Sequence, residues 1–190
     1  IGSEDEYFAS TSLTGLTNVS TVIGGKERVD SVLAGLQSIN TQQYPWVLVH
    51  DAARPCVTHN DISALISRCF HANCGGLLAV PVKDTIKRST NQTTVAETVD
   101  RELLWQALTP QMYPTQLLLT AISRALLKGV NITDEASAIE YIGEGSLLVE
   151  ASSNNIKITR PDDLHLATFI LANQKNVSKA VTQIKDQQCE

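Results

Sequence analysis

Trp46-Val47-Leu48-Val49 is an uninterrupted run of apolar strand formers. A strand with one wet face alternates polar and apolar residues. An unbroken run asks for cover on both faces, the situation of a sheet wrapped by helices. Helical spacing on either side of the run agrees. Val29, Val32, Leu33 and Leu36 precede it, and Ile62, Leu65, Ile66 and Cys69 follow it, each set on one helical face. Strand and helix signals alternate along the chain, which predicts an α/β fold with a mainly parallel sheet and helices on both faces.

Other strands are expected at Thr21-Val22-Ile23, closed by Gly24-Gly25, and at Leu77 to Val82. Two more are expected at Leu147-Leu148-Val149 and Ile156-Lys157-Ile158. Asn60 is expected to cap the helix after the apolar run. Pro114 suits the first turn of a helix ending at Lys128, with Gly129 just beyond. Thr133-Asp134-Glu135 reads as a helix start and Gly143 as a stop, and a last helix begins around Thr159 and Pro161. The polar tail after Asn173 is expected to fray. Residues 84–101 differ: β-branched and charged residues alternate loosely around a Ser89-Thr90-Asn91-Gln92 turn. They predict a two-stranded arm with too little apolar surface to stand alone. It packs either on its own subunit or on a second copy.

The 190 residues are expected to form one domain, with the arm as part of it. A net charge of −5 argues against a nucleic-acid binder that relies on bulk attraction to phosphates. Cys56, Cys69, Cys74 and Cys189 lack metal-ligand spacing and read as reduced thiols of a cytoplasmic protein. No apolar run is long enough to span a membrane.

In such sheets ligands gather beyond the carboxyl ends of strands. After the apolar run comes His50-Asp51-Ala52-Ala53-Arg54-Pro55. Asp51 can hold a divalent ion or a ribose hydroxyl, Arg54 can fork onto phosphate, and the alanines leave room for a ligand. The alternative is a local Asp51–Arg54 ion pair that only shapes the loop. Adjacent strand residues face opposite ways, so one of His50 and Asp51 should be buried and structural, and Asp51 is the functional choice. Gly24 and Gly25 let the backbone approach a ligand at a helix start, with Ser31 one turn in; plain turn chemistry would explain the glycines too. Lys157 between Ile156 and Ile158 needs an anion unless it faces water from an edge strand. GxxxxGK[ST], GxGxxG and GxSxG patterns are absent.

Taken in order, seven segments carry a resemblance: residues 24–32, 50–55, 81–85, 98–101, 108–111, 133–136 and 155–159. Over about residues 20–172 the chain resembles the 2-C-methyl-D-erythritol 4-phosphate cytidylyltransferases of non-mevalonate isoprenoid synthesis. The resemblance implies a Rossmann-like, glycosyltransferase-A-like nucleotidyltransferase fold. It implies transfer of CMP from CTP to a sugar-alcohol phosphate, with release of pyrophosphate and help from Mg2+. It also implies roles. Asp51 lies by metal and nucleotide, and Arg54 is on the sugar-phosphate side. Gly24, Gly25 and Ser31 line the cytidine pocket, with Ala52 and Thr109 near the nucleotide. Lys157 faces the phosphates. Thr85 and Arg101 belong to the arm, which in the family crosses a homodimer to grip the neighbour's substrate.

Three departures stand out. The family's glycine-rich loop with its arginine, and a later lysine, have no counterpart here, so the chain is expected to be N-terminally incomplete. Lys26 stands where an acidic residue is common. Asn154 stands where an acidic residue is often found in the family, so the resemblance does not carry over a second metal carboxylate. Ribitol-5-phosphate cytidylyltransferases share much of the pattern and are the alternative, as is a non-catalytic dimerising fragment.

Overall fold

The computed structural model describes residues 1–187; Cys189 lies outside them. The elements run α1 (Arg28–Gln37), β1 (Trp46–Val49), α2 (His59–Ala72), β2 (Gly76–Pro81), β3 (Ile86–Ser89), β4 (Val95–Val99), β5 (Trp105–Pro114), α3 (Thr115–Leu127), α4 (Glu135–Tyr141), β6 (Leu147–Glu150) and α5 (Pro161–Gln187). Four strands form a sheet in the order β1-β5-β2-β6, and β3 and β4 form a separate two-stranded sheet. The larger sheet is mixed: β1 and β5 run antiparallel, with Trp46 opposite Pro114 and Val49 opposite Gln111.

The strand with full cover is β2, not β1. Leu77, Leu78 and Ala79 are buried in the middle of the sheet order, whereas β1 ends that order and leaves Leu48 37% exposed. β5 is a strand the sequence reading does not anticipate. Residues 21–23, expected as a strand, form none. Ile1 brackets Ile23 with two hydrogen bonds, from its amino group to the Val22 carbonyl and from the Gly24 N–H to its own carbonyl. Residues 156–158 are also not a strand; the hydrogen bond from Ile158 N–H to the Ala53 carbonyl (2.8 Å) holds that loop in place.

Helix ends follow their side chains. α2 is capped by Thr58, whose hydroxyl accepts the Asp61 N–H, rather than by Asn60. Pro114 takes the cap position of α3, Lys128 ends it, and Gly129 follows at φ +65°. Asp134 caps α4 by accepting the Ser137 N–H. α5 continues past Asn173 to Gln187, in a stretch with three Lys and three Gln, good helix formers.

The chain divides into two compact units. The first comprises Ile1–Val49, Cys69–Gly76 and Gln111–Leu147. In it α3 packs on α1 and α4, burying Leu118, Ala121, Ile122 and Ala125 at helical spacing. The Trp46 and Phe70 rings meet edge-on at 5.2 Å. Gly75 has no room for a side chain, because a Cβ there would fall 2.1 Å from the Tyr113 ring. The Arg28 guanidinium grips the buried Glu135 carboxylate with two hydrogen bonds of 2.7 and 3.2 Å.

The second unit comprises His50–Arg68, Leu77–Pro110 and Leu148–Glu190. One of its apolar clusters joins Cys56, Ala167 and Ile170, with Ile156, Ile158 and Leu171 packed against them. Its arm is the expected antiparallel hairpin: Ile86 pairs with Val99, Lys87 with Thr98 and Arg88 with Glu97, with a register shift between Arg88 and Ser89. Nearly all of the arm is exposed. Cys56, Cys69 and Cys74 are free thiols. Burial, with Cys74 nearby, pushes Cys69 up to about 11, which keeps it protonated and inert.

Removing one partner of the Arg28–Glu135 pair strands a buried charge. Arg28→Met should cost roughly 3 kcal/mol in chemical denaturation, the low end for buried pairs because Arg28 is partly solvated. The double variant Arg28→Met/Glu135→Leu should lose less than this single change.

Candidate functional site

The second unit gathers five of the expected site residues, Asp51, Ala52, Arg54, Thr109 and Lys157. Asp51 lies two residues past the end of β1, and its backbone N–H donates to the Thr109 hydroxyl on β5 at 3.0 Å. Its carboxylate is mostly sheltered, and Oδ2 accepts a hydrogen bond from Lys157 Nζ at 3.0 Å. Arg54 Nε stands 4.0 Å from the same oxygen. Lys157 therefore has the anion its apolar neighbours call for, although it sits in a loop. Ala52 is exposed in the turn between Asp51 and Arg54.

Arg54 differs from the expectation of an open phosphate fork. It is 9% exposed, and its NH1 donates to the Asn155 carbonyl at 2.8 Å. Burial lowers its pKa and the Asp51 carboxylate raises it again. A guanidinium stays charged through such shifts.

Two residues without an assigned role complete the frame. Asn155, 1% exposed, donates its amide to the Thr109 carbonyl at 2.8 Å while its own carbonyl receives Arg54. Its side chain therefore ties β5 to the Lys157 loop. The available signal in the sequence was a small amide beside an apolar pair, a residue type that is seldom buried unless hydrogen-bonded. His50 is exposed rather than buried, yet both of its ring nitrogens are engaged. Nε2 lies 3.0 Å from the Arg54 carbonyl and Nδ1 3.0 Å from the Thr109 hydroxyl. A carbonyl can only accept, so in the neutral ring Nε2 carries the proton and Nδ1 accepts from Thr109; this tautomer is assigned from the network. His50 thus serves the frame, while the Asp51 carboxylate faces Lys157.

Gly24, Gly25 and Ser31 come together in the first unit. The Gly25 N–H donates to Ser31 Oγ at 3.1 Å, and a Cβ on Gly24 would fall 2.6 Å from that oxygen. Gly24 is thus required by the approach of Ser31, and Gly25 by Asp30, whose Cβ would lie 2.2 Å from an added Cβ. Glu27 opens α1 in a reciprocal cap with Asp30. Thr85 and Arg101 are both exposed at the foot of the arm, and Arg101 NH1 donates to the Lys83 carbonyl. A groove of about 620 Å³ lies beside them, lined by Val82, Lys83, Asp84, Ile86 and Trp105 among others.

Among the described residues no group of three or more His, Cys, Asp or Glu is placed to hold a metal. Magnesium commonly takes one or two carboxylates and completes its shell with substrate phosphates and water. Asp51 fits that donor pattern.

The family model for IspD, 2-C-methyl-D-erythritol 4-phosphate cytidylyltransferase, matches residues 1–173. A relative of that name from Colwellia psychrerythraea is 54% identical over 184 residues, covering 93% of this chain and 76% of its own length. One from Vibrio vulnificus is 51% identical over 178 residues, covering 93% and 75%. The crystal structure of the Francisella tularensis protein of that name superposes with a TM-score of 0.77 at 36% identity, covering 82% of this chain and 73% of that one.

Losing the Thr109 hydroxyl would leave the Asp51 N–H and His50 Nδ1 without their partner. Thr109→Val should lower stability by about 1–3 kcal/mol in urea denaturation and speed amide exchange at Asp51.

Proposed function

The chain belongs to the 2-C-methyl-D-erythritol 4-phosphate cytidylyltransferase family, and we propose that the Asp51–Lys157 pair is the charged centre of its active site. The enzyme is a nucleotidyltransferase of α/β fold. It transfers CMP from CTP to 2-C-methyl-D-erythritol 4-phosphate, giving 4-diphosphocytidyl-2-C-methyl-D-erythritol and pyrophosphate on the non-mevalonate route to isoprenoid precursors. Ribitol phosphate as acceptor is not favoured, since the similar proteins carry the methylerythritol name.

One observation carries the assignment within the site: a single carboxylate faces two cations. In this reaction an acceptor phosphate oxygen attacks the α-phosphorus of CTP. A P–O bond forms there while the bond to the β-phosphate bridging oxygen breaks, and the electron pair leaves with pyrophosphate. The nucleophile is already an anion, so no base has to remove a proton. The barrier lies in bringing two anions together and in the charge that builds on the phosphoryl group. Lys157, partly exposed, is the cation able to reach an incoming phosphate. Arg54, buried, holds the field of Asp51 from behind. Thr109 and Asn155 fix both loops, so little reorganisation is required as charge moves.

Mg2+, held by Asp51 and the phosphates of CTP, would supply further neutralisation of the triphosphate. Gly24, Gly25 and Ser31 line the cytidine side, and Ala52 and Thr109 lie by the nucleotide. Thr85 and Arg101 serve the acceptor across a homodimer joined by the arm, whose exposure in a single chain supports that reading. No helix among the described residues is long and apolar enough to cross a membrane, and the cytoplasm is the compartment we assign.

Pyrophosphate release from CTP, 2-C-methyl-D-erythritol 4-phosphate and Mg2+ is the direct assay. Asp51→Asn should keep the fold and lower kcat, with ~2–4 kcal/mol of transition-state stabilisation lost; an unchanged rate would make Asp51 structural. Arg101→Ala should raise the KM for the acceptor far more than that for CTP, and equal effects on both would remove Arg101 from the acceptor side.

A further inference from the structure

A buried donor with no partner calls for an explanation. Arg54 Nε is such a donor: it is shielded from solvent and makes no hydrogen bond. Yet it stands 4.0 Å from Asp51 Oδ2, the oxygen that Lys157 Nζ contacts at 3.0 Å. A charge-assisted hydrogen bond of this kind closes to about 2.8 Å. One carboxylate oxygen therefore touches one cation and stops about an ångström short of another.

The two cations are held differently. Arg54 is buried, and its NH1 is anchored on the Asn155 carbonyl. Lys157 has its chain pinned through Ile158 to Ala53, but its side chain is 43% exposed and can swing. A phosphate group carries more charge than a carboxylate and offers more acceptor oxygens, so it competes for the mobile ammonium and not for the anchored guanidinium.

We propose that Asp51 exchanges partners: it holds Lys157 until the acceptor's phosphate draws the ammonium away, and its carboxylate then closes onto Arg54 Nε. The inference rests on the proposed function in taking that ligand to be a sugar phosphate. The exchange delivers the Lys157 charge to the substrate without leaving Asp51 unpaired in a sheltered site. It also gives the unused Arg54 donor its partner in the liganded state. Arg54 is on this account a positioning residue, acting through Asp51, and an acceptor without a phosphate cannot trigger the step.

The test follows the Arg54 Nε–Hε resonance by NMR in the full chain, in metal-free buffer, during titration with inorganic phosphate and with 2-C-methyl-D-erythritol 4-phosphate. The expected result is a downfield shift and slower solvent exchange of that proton as Lys157 Nζ responds. Lys157→Met should show the shifted Arg54 signal with no phosphate added, and phosphate should then move it no further. An Arg54 signal that stays fixed while Lys157 moves overturns the exchange, as does a native-like Arg54 signal in Lys157→Met. Arg54→Lys keeps the charge and loses Nε. It should weaken phosphate binding by roughly tenfold or more, the worth of one hydrogen bond to a charged group. Unchanged phosphate affinity in Arg54→Lys counts against the proposal. Should Arg54→Lys fail to fold, the resonance titration still decides. The pyrophosphate-release assay on the native chain tests the enzyme assignment separately, so an active enzyme with a silent Arg54 resonance rejects only the exchange.

Discussion

The buried side chain of Asn155 is what the rest of the site depends on. It carries no charge, yet it places three. Its amide holds the Thr109 carbonyl 46 positions away, and the backbone carbonyl of the same residue holds Arg54 at a separation of 101. Lys157 is two residues further along the same loop. Thr109 in turn receives the Asp51 N–H and contacts His50. Neutral hydrogen bonds suit such positioning. They are directional and lose strength steeply when bent, so they fix geometry in a way that bare charges do not. They also cost less to bury than an ion.

The second structural constraint lies in the first unit, where α4 has only seven residues. A helix that short does not persist alone. It is held at its start from several directions. Gln111 takes the Ala136 N–H on its amide oxygen and donates to Asp134, while Arg28 clamps Glu135. Gln111 and Glu135 are both almost fully buried, and each has its hydrogen bonds in place. Polar groups so deep are tolerable only because they are satisfied by one another.

Much of this was legible in the sequence, for identifiable reasons. Helical faces such as Ile62, Leu65, Ile66 and Cys69 have strong period, α3 has clear punctuation at Pro114 and Gly129, and the arm announced itself by alternation around a polar turn. Asp51 and Lys157 could be picked from their positions after and beside apolar runs, and the structure joins them. β5 was hidden because Pro110 and Pro114 speak against a strand, although Pro114 stands only at its end, opposite Trp46. Residues 21–23 and 156–158 have strand composition, but a strand requires a ladder and theirs is one or two bonds long. The inward turn of Arg54 and the bridging by Asn155 were not legible, because both depend on segments that meet only after folding. Sequence spacing gives no warning of a contact made at a separation of 101 residues.

The exposed arm has a consequence for solubility. Each of β3 and β4 pairs on one side only, so each presents an outer row of backbone donors and acceptors that another chain could join. Charges sit on both strands: Arg88 bridges to Glu97 at 2.7 Å, and Lys87 donates to Thr98 at 2.6 Å. The register shift after Arg88 breaks the regularity that an indiscriminate partner would need. These weak surface contacts add little stability, but they make the hairpin a poor template for stacking. An arm stripped of those charges would remain a hairpin and would become the part of the molecule most prone to self-association into aggregates.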